Sequence, residues 1–435
     1  MSARDTALSA MIACRKQKAW SDGILKEYIV RDGLDRRDAA LASRLCYGVL
    51  QNRMLLDYYL QQLITGKLKR LQPVVLDILR LGLYQILFLD KIPVSAAVNE
   101  AVEQTKKYAN RSAAGLVNGV LRNADRQKDS LTPPQDLATR YSHPQALVDL
   151  LTEYVGEEKI EDLLRADNET PDTVIQVNTL RAEGKQVQAA LTAAGAQCRP
   201  HPWMPDCYLV TGAGNLEQLE AYQKGWFYVQ DAASRLTVRC AGAKPGMRVL
   251  DCCAAPGGKS FAAAIDMNNE GKIRSADIHR HKITLVEKGA LRLGLDCIHA
   301  REQDASMVHP TWKGKMDMVL ADVPCSGFGI IRKKPDIRYK DLDTVSRLPE
   351  LQLKILCNQA EYVKPGGVLM YSTCTLNGRE NESVVRGFLK ANPEFTLEPM
   401  DLPEVFPENT TGMLRLLPGE YDTDGFFLAK LRKKA

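Results

Sequence analysis

Arg248-Val249-Leu250-Asp251-Cys252-Cys253-Ala254-Ala255-Pro256-Gly257-Gly258-Lys259-Ser260 decides the fold of this chain. An apolar strand pattern runs into a glycine turn, and a helix pattern follows. The glycines let backbone approach a ligand closely, and the helix start offers free N–H groups. Downstream, strands are expected at Ile273–Ile278, Ile298–Glu302, Met316–Ala321 and Val368–Thr373, with Arg248–Cys252 as the first. Helices are expected between them, at 258–267, 281–294 and 347–362. Strands that are nearly all apolar and alternate with helices imply a parallel, doubly wound α/β sheet. Phe426–Leu431 adds a late strand.

In such a sheet, ligands bind beyond the carboxyl ends of the strands. Four acids end successive strands: Asp251, Asp277, Asp304 and Asp322. Asp277 stands 20 residues past Gly257, where a carboxylate accepts hydrogen bonds from ribose hydroxyls. Asp304 is placed to reach an adenine edge. A single acid before a helix is as readily an N-cap, but four at one rim favour a ligand. A phosphate-binding P-loop is the near rival, since Gly258-Lys259-Ser260 ends like one. That motif needs glycine where Cys253 stands, and Pro256 interrupts the loop. An ATPase reading also leaves two cysteines without a role.

Those cysteines also end strands. Cys325 lies in Asp322-Val323-Pro324-Cys325-Ser326-Gly327, and Cys374 in Tyr371-Ser372-Thr373-Cys374-Thr375. Two thiols beside a cofactor loop suggest covalent catalysis with separate roles in attack and release. Carbon 5 of a pyrimidine is a poor nucleophile. Thiolate addition at carbon 6 makes carbon 5 enamine-like, able to take a sulfonium methyl, and loss of the proton and the thiol restores the ring. Asp322 could support the charge that builds on the base. The bland reading of any buried cysteine is a small hydrophobe, and it is preferred for Cys252, Cys297 and Cys357.

The 435 residues suggest two or three domains. The 11 cysteines include no Cys-x-x-Cys pair, which argues against a zinc ribbon, and no metal is expected. No apolar leader or membrane span is read, so a cytoplasmic protein with free thiols is expected. Residues 1–140 hold 22 Lys+Arg against 14 Asp+Glu, a balance of +8; the remainder hold 36 against 39, a balance of −3. A basic N-terminal third suggests a polyanion partner, although a solvated helical surface carries similar charge.

Residues 1–126 read as short helices, with a stripe at Leu76, Leu79, Leu83 and Leu87. Residues 127–139 read as a linker with paired prolines. Residues 140–240 read as a small α+β domain, with strands at Val174–Asn178, Cys207–Val210 and Trp226–Val229 and a helix at Gln186–Ala194. Residues 241–435 form the α/β domain. Arg332-Lys333-Lys334, with Arg338 and Lys340, follow Cys325 closely and are expected to meet substrate phosphates. His143 is read as a hydrogen-bonded hinge residue.

At these motifs the chain resembles the RNA cytosine-5 methyltransferases, which use S-adenosylmethionine. The resemblance implies a cofactor loop at Cys253, Ala254, Ala255, Pro256, Gly257, Gly258 and Lys259, with Asp277, Asp304 and Asp322 also at the cofactor. It implies that Cys374 is the nucleophile, that Cys325 assists product release and that Asp322 acts on the base. DNA cytosine-5 methyltransferases attack with their Pro-Cys cysteine instead, so the Thr-Cys motif argues for RNA. Val323 replaces the family's more usual alanine, and Lys282 stands where the family often carries arginine. Ile92–Val102 and Leu116–Arg122 resemble the RNA-binding antiterminator NusB, and the middle domain resembles an RRM or ferredoxin-like fold. Tyr141-Ser142-His143-Pro144, Val229–Ser234 and Asp424-Gly425-Phe426-Phe427 complete a likeness to the bacterial small-subunit (16S) ribosomal RNA cytosine-5 methyltransferases. The implied partner is 16S RNA, naked or in an early particle, with no obligate protein partner. A competing reading is an RNA-binding antitermination or assembly factor with a vestigial methyltransferase domain.

Overall fold

The computed structural model describes residues 1–17 and 21–435. The chain divides into two compact units, Met1–Glu169 with Ile331–Tyr339, and Thr170–Ile330 with Lys340–Ala435. Among the described residues, no helix is long and apolar enough to cross a membrane.

The first unit is helical. Its central helix, Pro73–Phe88, starts with proline in its first turn, where the missing N–H costs nothing. The expected leucine stripe holds only at Leu79 and Leu83; Leu76 and Leu87 are half-buried. Val75, Ile78 and Leu81 are buried as well. A central helix packs on several faces, so one stripe underdescribes it. The neighbouring helices Arg36–Gln51, Arg53–Leu63 and Ala113–Gln127 supply Leu45, Leu56, Leu60, Val117 and Leu121 to the same core.

Residues 127–139, expected as a linker, hold a short 3-10 turn at Lys128–Ser130 and the start of the helix Leu137–Arg140. Helices Gln145–Val155 and Ile160–Ala166 lie within this unit, although they fall in the range read as α+β.

Ile331–Tyr339 leaves the α/β region of the sequence to join these helices. Arg338 is only 1% exposed. Its guanidinium donates to Gln51 O (2.8 Å), Tyr141 O and Ser142 O (both 3.3 Å), Asp167 O (3.4 Å) and Asn168 Oδ1 (3.0 Å). A buried charge needs such partners. Arg338 is therefore a structural tie, and the expected contact with substrate phosphates is corrected for this residue. His143 is buried beside it, with Nδ1 2.8 Å from Tyr141 O and Nε2 3.5 Å from Asp167. Burial holds the imidazole well below its usual range and pushes the Asp167 carboxyl up to about 7. His143 is thus hydrogen-bonded, as expected, and lies within the helical unit.

The second unit contains two sheets. The smaller is antiparallel, in the order β2-β3-β1-β4. Its strands are β1 (Thr173–Val177), β2 (Gln197–Pro200), β3 (Cys207–Thr211) and β4 (Phe227–Val229), with the helix Gly184–Ala193 packed on it. The helix begins with a capping box between Glu183 and Gln186.

The larger sheet holds β5 (Arg248–Asp251), β6 (Lys272–Asp277), β7 (Ile298–Glu302), β8 (Met316–Asp322), β9 (Val363–Thr373), β10 (Phe395–Leu397), β11 (Met413–Leu416) and β12 (Phe426–Lys433). Their order is β10-β12-β9-β8-β5-β6-β7, with β11 on β12. β7, β6, β5, β8 and β9 are parallel, while β10, β11 and β12 add an antiparallel flank. The sheet is therefore mixed rather than wholly parallel. Sequential strands run outward from β5 through β6 to β7, then reverse through β8 to β9. The crevice between β5 and β8 is thus the topological switch point, where a ligand is expected at the carboxyl ends.

Candidate active site

The register gathers the rim residues. β5 and β6 pair Asp251 with Ser275, β6 and β7 pair Asp277 with Glu302, and β8 and β9 pair Asp322 with Ser372. Asp251, Asp277, Asp304, Asp322, Cys325 and Cys374 consequently leave their strands at the same edge.

The loop after β5 is held by the strands beside it. Cys252 N–H donates to Leu320 O (3.0 Å), Ala254 N–H to Ala276 O (2.8 Å) and Gly257 N–H to Ala254 O (2.7 Å). The Ala255–Pro256 peptide is cis. Gly257 has φ +115° and caps the helix Gly258–Asp266 without any side-chain bond. A Cβ there would meet the Phe261 ring at 2.3 Å, so the loop requires glycine. The first N–H groups of this helix face the rim with no side-chain cap.

Asp277 is only 7% exposed, and its Oδ1 accepts the His279 N–H at 3.1 Å. Asp304 Oδ1 accepts the Ser306 N–H at 2.8 Å. Each acid closes a turn two residues on through one oxygen and neither caps a helix, since the N-cap after β6 is His279; the second oxygen is left for a ligand.

Asp322 has two partners within the protein. Lys259 Nζ lies 2.6 Å from Oδ2, and Ser372 Oγ donates to Oδ1 at 2.8 Å. Lys259 is buried, so the ion pair holds the cofactor loop against the end of β8. Asp251 is deeper. Ser260 Oγ donates to its Oδ2 at 2.7 Å, and burial pushes its carboxyl up to about 7. A folded-state value raised above that of an ordinary aspartate, about 3.9, means that the folded chain binds more protons between about pH 4 and 7. Stability from this group is then fully present below pH 4 and is lost as pH rises to 7. Asp251→Asn removes the effect. Urea unfolding should find the variant gaining on the parent between pH 5 and pH 8, and a constant difference would refute the assignment.

The two thiols meet, with Cys325 Sγ 3.3 Å from Cys374 Sγ. Both side chains are half-buried. Hydrogen bonding to Cys374, then burial, pushes the Cys325 thiol well above its usual range. Cys325 thus keeps its proton, and the two thiols share a hydrogen bond in which either sulfur can donate. Cys252 and Cys297 are buried, as expected of small hydrophobes, whereas Cys357 is half-buried. Cys253 packs beside Cys252, with 3.9 Å between their sulfurs.

The strongest feature that sequence reading missed is Glu380. Its side chain is 0% exposed. It accepts from Ser326 N–H (2.8 Å), Ser326 Oγ (2.6 Å), Gln352 Nε2 (2.9 Å) and Asn377 Nδ2 (2.8 Å). Ser326 Oγ also lies 2.5 Å from Thr375 Oγ1. Since the serine proton goes to Glu380, Thr375 is the donor in that contact. Ser326 follows Cys325 and Thr375 follows Cys374, so one carboxylate ties both cysteine loops together. The signal was present in Thr375–Glu382, a polar run placed directly after a buried strand. Lys340 Nζ supports the same loop through Ser326 O at 2.5 Å.

Family models match residues 241–432 (16S rRNA methyltransferase RsmB/F), 1–126 (NusB family) and 143–217 (RsmF/B-like ferredoxin-like domain). A probable ribosomal RNA small subunit methyltransferase B of Bacillus subtilis is 39% identical over 444 residues, covering 100% of this chain and 99% of that protein. The ribosomal RNA small subunit methyltransferase B of Vibrio cholerae is 34% identical, covering 92% of this chain and 90% of that protein. The crystal structure of PH0851 has a TM-score of 0.84 at 26% identity, covering 99% and 98% of the two chains. The helical N-terminal part is thus NusB-like, the small antiparallel sheet is ferredoxin-like and the mixed sheet is a methyltransferase domain. With a relative of such identity matched along its whole length, the chain belongs to the RsmB/F family of 16S rRNA methyltransferases.

Proposed function

We propose that this protein methylates carbon 5 of a cytosine in small-subunit ribosomal RNA, with S-adenosylmethionine as donor. The observation that carries the reading is the pair of thiols 3.3 Å apart at the rim, with the Cys325 thiol pushed well above its usual range. The donor fits the uncapped helix start at Gly258, and Cys253 to Lys259 would hold it. The half-occupied carboxylates of Asp277 and Asp304 would take ribose hydroxyls and the adenine edge. Bound there, S-adenosylmethionine supplies an electrophilic methyl group.

Cys374 sulfur, as the thiolate, adds to carbon 6, and the ring electrons pass to carbon 5, which would form the new carbon–methyl bond as the methyl's bond to the donor sulfonium breaks and leaves a neutral thioether. Water or another base then takes the carbon-5 proton, and that electron pair restores the ring double bond as the carbon–sulfur bond breaks and returns the thiolate. Cys325 S–H steadies the departing Cys374 sulfur. Asp322, fixed by Lys259 and Ser372, faces the polar edge of the base. The base must be unpaired or flipped out to present carbon 6. The helical unit that contains the NusB-like part (1–126) and the antiparallel-sheet part of residues 170–240 grip the RNA, and residues 241–435 carry the chemistry.

The test is nucleoside analysis of unmethylated 16S transcript, and of early small-subunit particles, after incubation with protein and donor. One 5-methylcytidine per RNA is expected. Tight binding without methyl transfer would favour an assembly factor instead.

A further inference from the structure

The parallel strands of the large sheet begin at the rim opposite the cysteines, and a cavity lies there. Arg248 opens β5, Lys272 and Arg274 lie on β6, and Lys315 precedes β8. With Trp312 they line a cavity of about 390 Å³ that has no carboxylate in its wall. Arg301 of β7 adds a fifth cation. Its guanidinium carbon lies 5.8 Å from the Trp312 ring centre, and that of Arg274 lies 4.4 Å from it.

These charges are not balanced from within. Asp317, the acid next in sequence, is paired with Lys364 and accepts the Arg248 main-chain N–H. Arg274 Nη1 is buried without a hydrogen-bond partner. Burial, followed by repulsion from Arg301 and Arg248, holds the Arg274 guanidinium below its usual range. Gathering like charges around a concave surface costs stability unless an anion offsets it. A phosphate suits these charges better than a neutral nucleobase would, because Trp312 offers no free stacking face. Its side chain is 4% exposed and is covered by Arg274 and by His309, which is stacked at 5.2 Å.

We propose that this cavity binds backbone phosphates of the RNA substrate, at a point remote from the modified base. β8 spans seven residues, which sets the two rims about 20 Å apart at ~3.3 Å per residue. The RNA then contacts both ends of the sheet, and the phosphate contact fixes register without reading sequence. This inference rests on the RNA reading above.

The full chain carrying Lys272→Gln and Lys315→Gln tests it. Both lysines are exposed, so the fold should tolerate the change. Affinity for a 16S transcript is measured against KCl concentration. Each lost phosphate contact should lower the salt slope by about 0.7–0.9, so the pair should lower it by roughly 1.5, with about tenfold weaker binding near 0.1 M. The loss should be equal on an unrelated RNA of the same length, and turnover at saturating RNA should be unchanged. An unchanged slope and affinity would overturn the site while leaving the methyltransferase reading intact. A loss confined to the 16S sequence would overturn the phosphate assignment. If the parent protein bound no RNA, both readings would fall together.

Discussion

Cys374→Ala is expected to abolish methyl transfer, a fall of at least about 10³-fold, while Cys325→Ala is expected to accumulate a covalent protein–RNA adduct. The asymmetry follows from the site. The two sulfurs are 3.3 Å apart, and the Cys325 thiol is held well above its usual range. Attack is assigned to Cys374, and Cys325 stays protonated as a donor when that sulfur must leave. Removing the attacker prevents the first bond, so no adduct forms and the cytosine stays unmodified. Removing the releaser leaves attack and methylation possible but slows the breaking of the carbon–sulfur bond. A denaturing gel with labelled RNA separates the cases, because only a covalent complex survives. If Cys374→Ala accumulates the complex and Cys325→Ala does not, the two roles are exchanged.

Glu380→Ala should produce the next largest effect, this time on both fold and rate. The substitution leaves four donors around a buried void: Ser326 N–H and Oγ–H, Gln352 Nε2 and Asn377 Nδ2. Each orphaned donor costs about 1–3 kcal/mol, less where water enters or the loop relaxes. A net loss of about 3–5 kcal/mol is reasonable for breaking one buried charged network. In a unit of this size that lowers the melting temperature by roughly 10 °C. Both cysteine loops would also lose their common anchor. Activity should fall by about 10²-fold even where the variant remains folded, since a misplacement of ~1 Å is costly in rate. Glu380→Gln keeps the shape but turns one acceptor into a donor, so it should lie between the two. Calorimetry and single-turnover methylation report the two effects separately. An alanine variant that melts within 2 °C of the parent would show that the loops are held by something else.

The parts of the fold that could be read in advance share one property. β5, β6, β8 and the core of β9 are covered on both faces, so their apolar runs are visible without knowledge of their neighbours. The glycine loop and the rim acids follow from the order of those strands. β2 escaped because Gln197–Pro200 is a largely exposed edge with no apolar alternation. Arg338 misled because a basic run near a site looks like a surface. Its acceptors stand 170 to 287 residues away in sequence and together compensate a full charge. Glu380 and the Lys259–Asp322 pair escaped for the same reason, since a side chain's partner across 50 or more residues leaves no periodicity to detect. Sequence pattern reports burial of surfaces far better than pairing of polar atoms.

The excursion of Ile331–Tyr339 has a consequence for the order of synthesis. The helical unit emerges first, yet it contains a strand of chain that follows its other residues by more than 160 positions. Until Arg338 arrives, the carbonyls of Gln51, Tyr141 and Ser142 lack the cation that later satisfies them. At 5–20 residues per second, the ribosome takes roughly 10–30 s to deliver it. The hydrophobic core of the NusB-like part draws on residues 7–131 alone and does not need this segment. What waits is the polar seat around Arg338, which is completed only after the first of the two thiols has been made.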